Sequence, residues 1–395
     1  MRIFTLCLAL VGMITLLSCQ KTGHPRLESV ATYKRPSGQL AVRHDVKAID
    51  LRALSDLDTI IPRLAEQQVV FIGEIHDRFD HHLAQLEIIR ALHAIHDNLV
   101  IAVEYFQAPF QRYLDAYVAG DVDEKTLLKE TEYFSRWGFD YRLYRPIIEY
   151  ARKHGIPLIA LNLPAEISRK VARSGLDGLN DKERGQIPRE IDRSDDAYRE
   201  RLRSVFEKHR QQNTSLTNFD YFVQAQLLWD EAMAEHAANY LRRHPTQHMV
   251  ILAGNGHLLY GAGIPRRLMR RIRVRSAIVI NASDELPHPD MADFLLFPAM
   301  ISLPPAARLG IYMQSRNHSV VIEDLVPGGA AITAGLKKGD QIVEVNADVV
   351  ATPSDVKLAL LDKQPNDRIT VVVKRADDHA GHRLINFEVV LTASH

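Results

Sequence analysis

Cysteine is nearly missing from this chain of 395 residues: there are two, Cys7 and Cys19, and both fall in the first twenty positions. That excludes a disulfide framework, a Cys-ligated zinc site, an iron–sulfur cluster and a C-x-x-C-H haem attachment. An excess of one charge is missing too, with Lys+Arg 49 against Asp+Glu 49. A general nucleic-acid binder needs surplus cations to displace counterions from phosphate, so that class and nucleic acid as a partner are excluded. There is no H-E-x-x-H helix of a zinc hydrolase and no G-x-S-x-G elbow of a serine hydrolase. Long-period repeats and low-complexity tracts are also lacking. What remains is ordinary for a globular protein, 46% hydrophobic and 25% charged, and long enough for two domains with a core each.

The longest apolar run, Ile3 to Leu17 behind Arg2, is shorter than the roughly 20 residues a membrane span needs. It has the charged start and apolar middle of an export signal. Leu16-Leu17-Ser18-Cys19 resembles a bacterial lipobox, in which the cysteine is diacylated and becomes the mature N-terminus. Residues 1–18 are then the signal peptide, and Cys7 leaves with it. Residues 19–49 are the lipidated N-terminus and a polar tether. Each buried methylene of the lipid contributes about 0.8 kcal/mol of membrane anchoring. Gln20 rather than Asp after the cysteine implies an outer-membrane lipoprotein, facing the periplasm or the surface.

From residue 50 to about 285 short apolar runs alternate with helical stretches. The runs are Val69–Ile72, Leu99–Val103, Ile156–Leu161, Met249–Ala253 and Ala277–Ile280. Near-continuous hydrophobicity marks strands buried on both faces, and the β-α-β rhythm marks a parallel sheet flanked by helices. Helices are expected at roughly 80–96, 107–130, 144–154, 195–211 and 218–243. Residues 286–305, rich in proline, read as a linker. Residues 306–392 change character: short alternating strands, Gly-rich turns and one short helix near 353–362 give a small β-rich domain.

In parallel sheets ligands bind at the carboxyl ends of the strands. The first strand ends in Gly73-Glu74-Ile75-His76-Asp77, the second in Glu104-Tyr105-Phe106, the third in Asn162, and the fourth in Gly254-Asn255-Gly256-His257. Glu74, His76, Glu104, Asn162 and His257 thus recur at one structural position, with Glu104 expected beside Glu74 on an adjacent strand. A carboxylate directly after a buried strand is costly unless paired or functional. His81 and Gln85 share a face of the following helix, and Asp80 is placed to cap it. His82, His93 and His96 read as boundary histidines. Gln226, Asp230 and Met233 fall on one face of the 218–243 helix; the first two could look onto the site, and Met233 reads as core. The aromatic stretch Tyr133–Tyr144 has weak helical periodicity and reads as a surface loop or partner face. Tyr105, Phe106 and their neighbours could wall a cofactor pocket or simply pack a core.

In order along residues 50–280, these pieces resemble the ChaN-like haem-binding lipoproteins. The matching motifs are Gly73-Glu74-Ile75-His76-Asp77 with His81, His82 and Gln85, Glu104-x-Phe106 with Gln107, Trp137-Gly138, and Tyr144-x-Pro146. Leu161-Asn162-Leu163-Pro164, Gln226-x-x-x-Asp230-x-x-Met233, Gly254-Asn255-Gly256-His257 and Gly263-Ile264-Pro265 complete the set. The resemblance implies non-covalent haem binding in iron uptake, often by a homodimer, with a tyrosine on the iron. Tyr144 and Tyr260 are the candidates, because both sit beside family motifs. The same Glu and His framework is similar to the TraB/Tiki and erythromycin-esterase-like group. That implies an alternative, a hydrolase using Glu74, His76, Glu104 and His257 with a divalent metal.

Residues 306–392 resemble a PDZ domain of bacterial envelope proteases. The resemblance rests on Leu309-Gly310-Ile311, Ala334-Gly335-Leu336-Lys337-Lys338-Gly339-Asp340 and Val371–Arg375. It implies that Leu309, Gly310 and Ile311 receive the C-terminal carboxylate of a partner peptide, added as a strand. Ala347 stands where the family often has glycine, which alters a turn and not the groove. A third possibility is an envelope adaptor working through this domain without a cofactor.

Overall fold

The computed structural model describes residues 49–393 apart from 51, 213–217, 283–285, 317–318 and 378–380. The export signal, Cys19 and the tether lie outside the described residues.

Six parallel strands form the first sheet: β1 (Val69–Glu74), β2 (Leu99–Gln107), β3 (Leu158–Asn162), β4 (His248–Gly254), β5 (Ser276–Asn281) and β6 (Phe294–Leu296). Their spatial order is β3-β2-β4-β1-β5-β6. Every residue of β1, β2 and β3 is buried, which is why these runs lack strand alternation. One face packs on the helices Phe79–His93 and Arg145–His154, and the other on Phe219–Arg243. Two features depart from the sequence reading. β1 and β2 are not neighbours, because β4 returns between them. The stretch 286–305 also contributes β6, which extends the sheet beyond β5.

The helices run largely as their periodicity predicts. The expected 107–130 helix is broken at Gly120, which takes a left-handed φ of 87° and ends Gln111–Ala119 before Glu124–Glu130 begins. Asp80 does not cap Phe79–His93; Arg78 precedes the helix, and its guanidinium grips both Asp80 oxygens at 2.9 and 2.6 Å. Tyr133–Tyr144 is not a surface loop. Tyr133, Tyr141 and Tyr144 are fully buried in the core, while Phe134, Trp137 and Phe139 are half-buried against it. Two short helical turns here bury aromatic area without the long 3.6-residue period that a sequence reading detects.

The second domain is antiparallel. Its strands are β7 (Ala307–Arg308), β8 (Ile311–Arg316), β9 (Ser319–Leu325), β10 (Gln341–Val345), β11 (Asp348–Val349), β12 (Arg368–Asp377), β13 (Gly381–Val390) and β14 (Thr392–Ala393). The main sheet has the order β13-β12-β10-β9-β8, with β11 on β10, and β14 pairs β7. The helix Pro353–Ala359 is capped by Thr352 and Asp355 reciprocally. It packs on Glu124–Glu130 and Tyr133–Arg136 of the first domain. Leu358 and Leu361 are buried with the first domain's core residues.

Candidate functional site

Glu74, the last residue of β1, is 4% exposed, and Glu104 on β2 is 5% exposed. They meet because the strand between them ends in glycine. Gly254 pairs with Glu74 in register, and a Cβ there would lie 2.9 Å from the His76 ring and 3.7 Å from Glu104 Oε2. The backbone N–H of Gly254 donates to Glu104 Oε2 at 2.7 Å. His76 donates from Nδ1 to Glu74 Oε1 at 2.5 Å. Donor atoms of Glu74, His76 and Glu104 all lie within 4.8 Å of one another, a spacing that could hold a metal ion. Glu74 Oε2 is buried without a hydrogen-bond partner. A buried carboxylate oxygen left without a donor is costly unless a cation or a bound group completes it.

Behind this cluster stands a second one. His257 donates from Nδ1 to Asp230 Oδ1 at 2.7 Å, and its Nε2 lies 3.4 Å from Glu104 Oε1. Tyr198 donates its hydroxyl to Asp230 Oδ2 at 2.7 Å. The chain Tyr198–Asp230–His257–Glu104 is buried throughout. Burial opposes charge on His257, but the carboxylates of Glu104 and Asp230 outweigh it and raise its pKa well above the usual imidazole range. Burial likewise opposes charge on Glu104; His257 and His76 outweigh it and hold the carboxyl down at about 2. For His76 burial lowers the pKa and the Glu74 hydrogen bond and charge raise it, with a net upward shift. His76 is the member that meets solvent, its side chain 27% exposed. The arrangement combines hard oxygen donors with imidazoles hydrogen-bonded to buried carboxylates. It can hold a divalent cation or move a proton at a water.

The other expected site residues lie around these clusters. Asn162 anchors β2 by donating to the Glu104 carbonyl at 3.1 Å. His81 is buried behind β1, where its Nδ1 accepts the Ile75 N–H at 3.1 Å. Gln107 accepts from Arg136 at 3.0 Å and from the Ala165 N–H at 3.3 Å, away from the clusters. Gln226 makes no hydrogen bond to them among the described residues, and Met233 is core. Tyr144 is fully buried, its hydroxyl 3.4 Å from the His76 carbonyl and its ring 4.5 Å from that of His82. Burial and the nearby Glu74 charge push its phenol far up. Tyr260 is 38% exposed and sits at φ 60°, a left-handed conformation uncommon for a side-chain-bearing residue. The Arg201 guanidinium lies 4.6 Å from its ring centroid.

Sequence reasoning misplaced His82, left Tyr105 open between pocket and core, and missed Tyr198. His82 is buried rather than a boundary residue, donating from Nε2 to the His76 carbonyl at 3.1 Å and lying 3.8 Å from Glu74. Its place one residue from His81 inside a buried helix was the available signal. Tyr105 is buried under the charge of Glu74, which together with burial raises its phenol. Tyr198 carries no local signal, since it reaches Asp230 only through packing of distant helices.

Residues 60–268 match the family profile described as haem-binding uptake, Tiki superfamily, ChaN, and residues 307–391 match the PDZ domain profile. The described fold is similar to a solved structure of cofacial haem binding to ChaN of Campylobacter jejuni. The two are 18% identical, with a TM-score of 0.51 over 62% of this chain and 92% of that one. An erythromycin esterase mutant in its open conformation is 18% identical with a TM-score of 0.36, covering 57% of this chain and 72% of the other. A curated relative, the chloroplastic protein RETICULATA-RELATED 5 of Arabidopsis thaliana, is 25% identical over 268 residues, 62% of this chain. The match spans 36% of that relative's length.

Proposed function

This chain belongs to the ChaN family of haem-binding uptake proteins in the Tiki superfamily, and from that premise we propose that it binds haem non-covalently at the carboxyl rim of its parallel sheet. The donor set fits a ferric haem at one place. Phenolate oxygen suits ferric iron, and Tyr260 offers a solvent-reaching phenol beside the cation of Arg201, which suits a haem propionate. Tyr144 fits poorly, since its surroundings keep the phenol protonated and closed to a ligand of that size. The observation that carries the reading is Tyr260 itself, exposed and held in a strained left-handed backbone directly after the Gly254–His257 turn. Strain of roughly 1–3 kcal/mol persists where the surroundings or a function demand it. Bound haem supplies the iron that an uptake protein carries; the chain's own residues hold and orient it.

The finer parts of the reading rest on the sequence. The lipobox supports an outer-membrane lipoprotein anchored through Cys19. Among the described residues no helix is long and apolar enough to cross a membrane. The family supports a role in iron acquisition and a second copy of the chain as partner, and the PDZ domain supports capture of a partner's C-terminal peptide.

A haemin titration of residues 20–395, followed by absorbance, tests the proposal. The expected result is a saturable Soret shift with a ferric-phenolate charge-transfer band, lost in Tyr260→Phe and retained in Tyr144→Phe and His257→Ala. A featureless titration, or one unchanged by Tyr260→Phe, overturns the site. Sedimentation with and without haemin checks the homodimer. Failure of Cys19→Ser to leave the membrane fraction would remove the anchor.

One observation favours a second reading, the orphaned Glu74 oxygen among three donors within 4.8 Å. A divalent ion bound there would polarise a water, with His257 beside Glu104 as the proton carrier. Calorimetry with Mn²⁺ and Zn²⁺ decides it: heat of binding that survives in Glu74→Gln speaks against these donors.

A further inference from the structure

The segment Trp137–Asp140 has two sides. One packs on the site: the His76 ring lies 5.0 Å from that of Trp137 and 4.6 Å from that of Phe139. The other lines a cavity of about 550 Å³ whose far wall is the PDZ domain, including Leu309, Ile311 and Leu360. The cavity is therefore shared between the two domains.

Three features of the shared cavity select its occupant. β8 is an edge strand, paired with β9 alone among the described residues, so an extended backbone can add to it. The Leu309–Ile311 loop turns through Gly310 at φ 72°, and the carbonyls of Leu309 and Gly310 already accept from Ala331 and Val326 at 2.8 and 2.9 Å. What such a loop has left for a ligand is its N–H groups, which suit an anion. The charged residues bordering the cavity are Arg142, Arg308, Lys357 and Lys363 against Asp140 alone. That surplus of cations suits an acidic chain.

We propose that the cavity is a composite peptide site. It takes the free C-terminus of an acidic peptide ending in an apolar residue, held between β8 and the Trp137–Phe139 wall, so that its occupancy is felt at His76. The first domain thus supplies one wall of the groove. Peptide and a divalent ion at the Glu74–His76–Glu104 cluster then influence each other's affinity reciprocally, on the order of tenfold. The C-terminal anchor rests on the peptide capture proposed above, and this last element alone on the divalent-ion reading.

The test uses residues 20–395 and a fluorescein-labelled decapeptide with Asp and Glu upstream of a C-terminal valine. Anisotropy gives affinity for this peptide, its C-terminal amide and a version with Lys in place of the acids. The chain has two tryptophans, so Trp229→Phe leaves Trp137 as the sole emitter. The expected results are saturable binding, a loss of about tenfold or more for the amide and for the basic peptide, and a shift of Trp137 emission. Lys357→Glu weakens binding in the same direction, with circular dichroism checking that it is folded. Zn²⁺ at saturation changes the peptide Kd. Absent binding, or equal binding of all three peptides, overturns the occupant. Binding with Trp137 emission unchanged places the peptide on the PDZ domain alone and overturns the composite site. Zn²⁺ that binds without moving the peptide Kd overturns the coupling. Zn²⁺ that fails to bind counts against the divalent-ion reading, and the Trp137 signal still decides the groove.

Discussion

His81 is wholly buried, and its Nδ1 holds the Ile75 N–H where the chain leaves β1. Burial, aided by the charges of Arg78 and His82, pushes its pKa down to about 4 against the pull of Asp80. The folded pKa lies below the unfolded value of about 6.5. The unfolded chain therefore binds the extra proton first as pH drops. Stability contributed by the neutral imidazole is present above about pH 6.5 and is lost as pH falls toward 4. His81→Asn keeps an acceptor for Ile75 and cannot titrate. Urea midpoints at about pH 7.5 and about pH 4.5 should therefore fall further in the wild type than in the variant. A variant that tracks the wild type across that range would show that His81 does not carry this linkage. The members of the strand-end cluster were legible because each follows directly on a buried apolar run, where a charge needs a reason. Tyr198 was not, since its partner Asp230 is 32 positions away and nothing local in either helix announces the contact.

At the scale of elements, three strand ends are tied together by asparagines. Asn255 donates to the Asn281 carbonyl at 2.9 Å, and Asn281 donates to the Gly73 carbonyl at 2.8 Å. Gly73 has to be glycine here, because a Cβ would lie 2.3 Å from Asn255 Oδ1. Asn281→Ala leaves the buried Gly73 carbonyl without this donor, a loss of about 1–3 kcal/mol by urea unfolding. A change below about 0.5 kcal/mol would mean that the tie is dispensable. The buried strands and the long helices could be read from apolar runs and helical period. Strand order could not. Glu104 was expected next to β1, but β4 intervenes, and the two carboxylates meet only across the missing side chain of Gly254. β6 was hidden because its three residues are short for a period-two signal and sit among prolines.

At the scale of the molecule, the question is what holds the PDZ domain on the first domain, since the composite groove depends on that placement. Two kinds of contact compete. Ion pairs join Arg145 to Asp362 at 2.8 Å and Lys125 to Asp348 at 3.6 Å, but Asp362 is 57% exposed and Asp348 likewise. Exposed pairs of this kind contribute about 0–1 kcal/mol each and weaken with salt. Leu358 and Leu361, by contrast, are buried with the first domain's core residues. Fully burying such a side chain contributes about 1.5–3 kcal/mol, and a charge placed there has no partner to offset its desolvation. The apolar contact should therefore decide whether the two domains unfold as one. Calorimetry of the wild type should show one cooperative transition, and Asp362→Asn should keep it. Leu361→Asp should split it into two and, by opening the groove, remove the Trp137 response to peptide. Two transitions in the wild type, or a single one in Leu361→Asp, would place the coupling elsewhere and leave β8 to bind peptide without the wall.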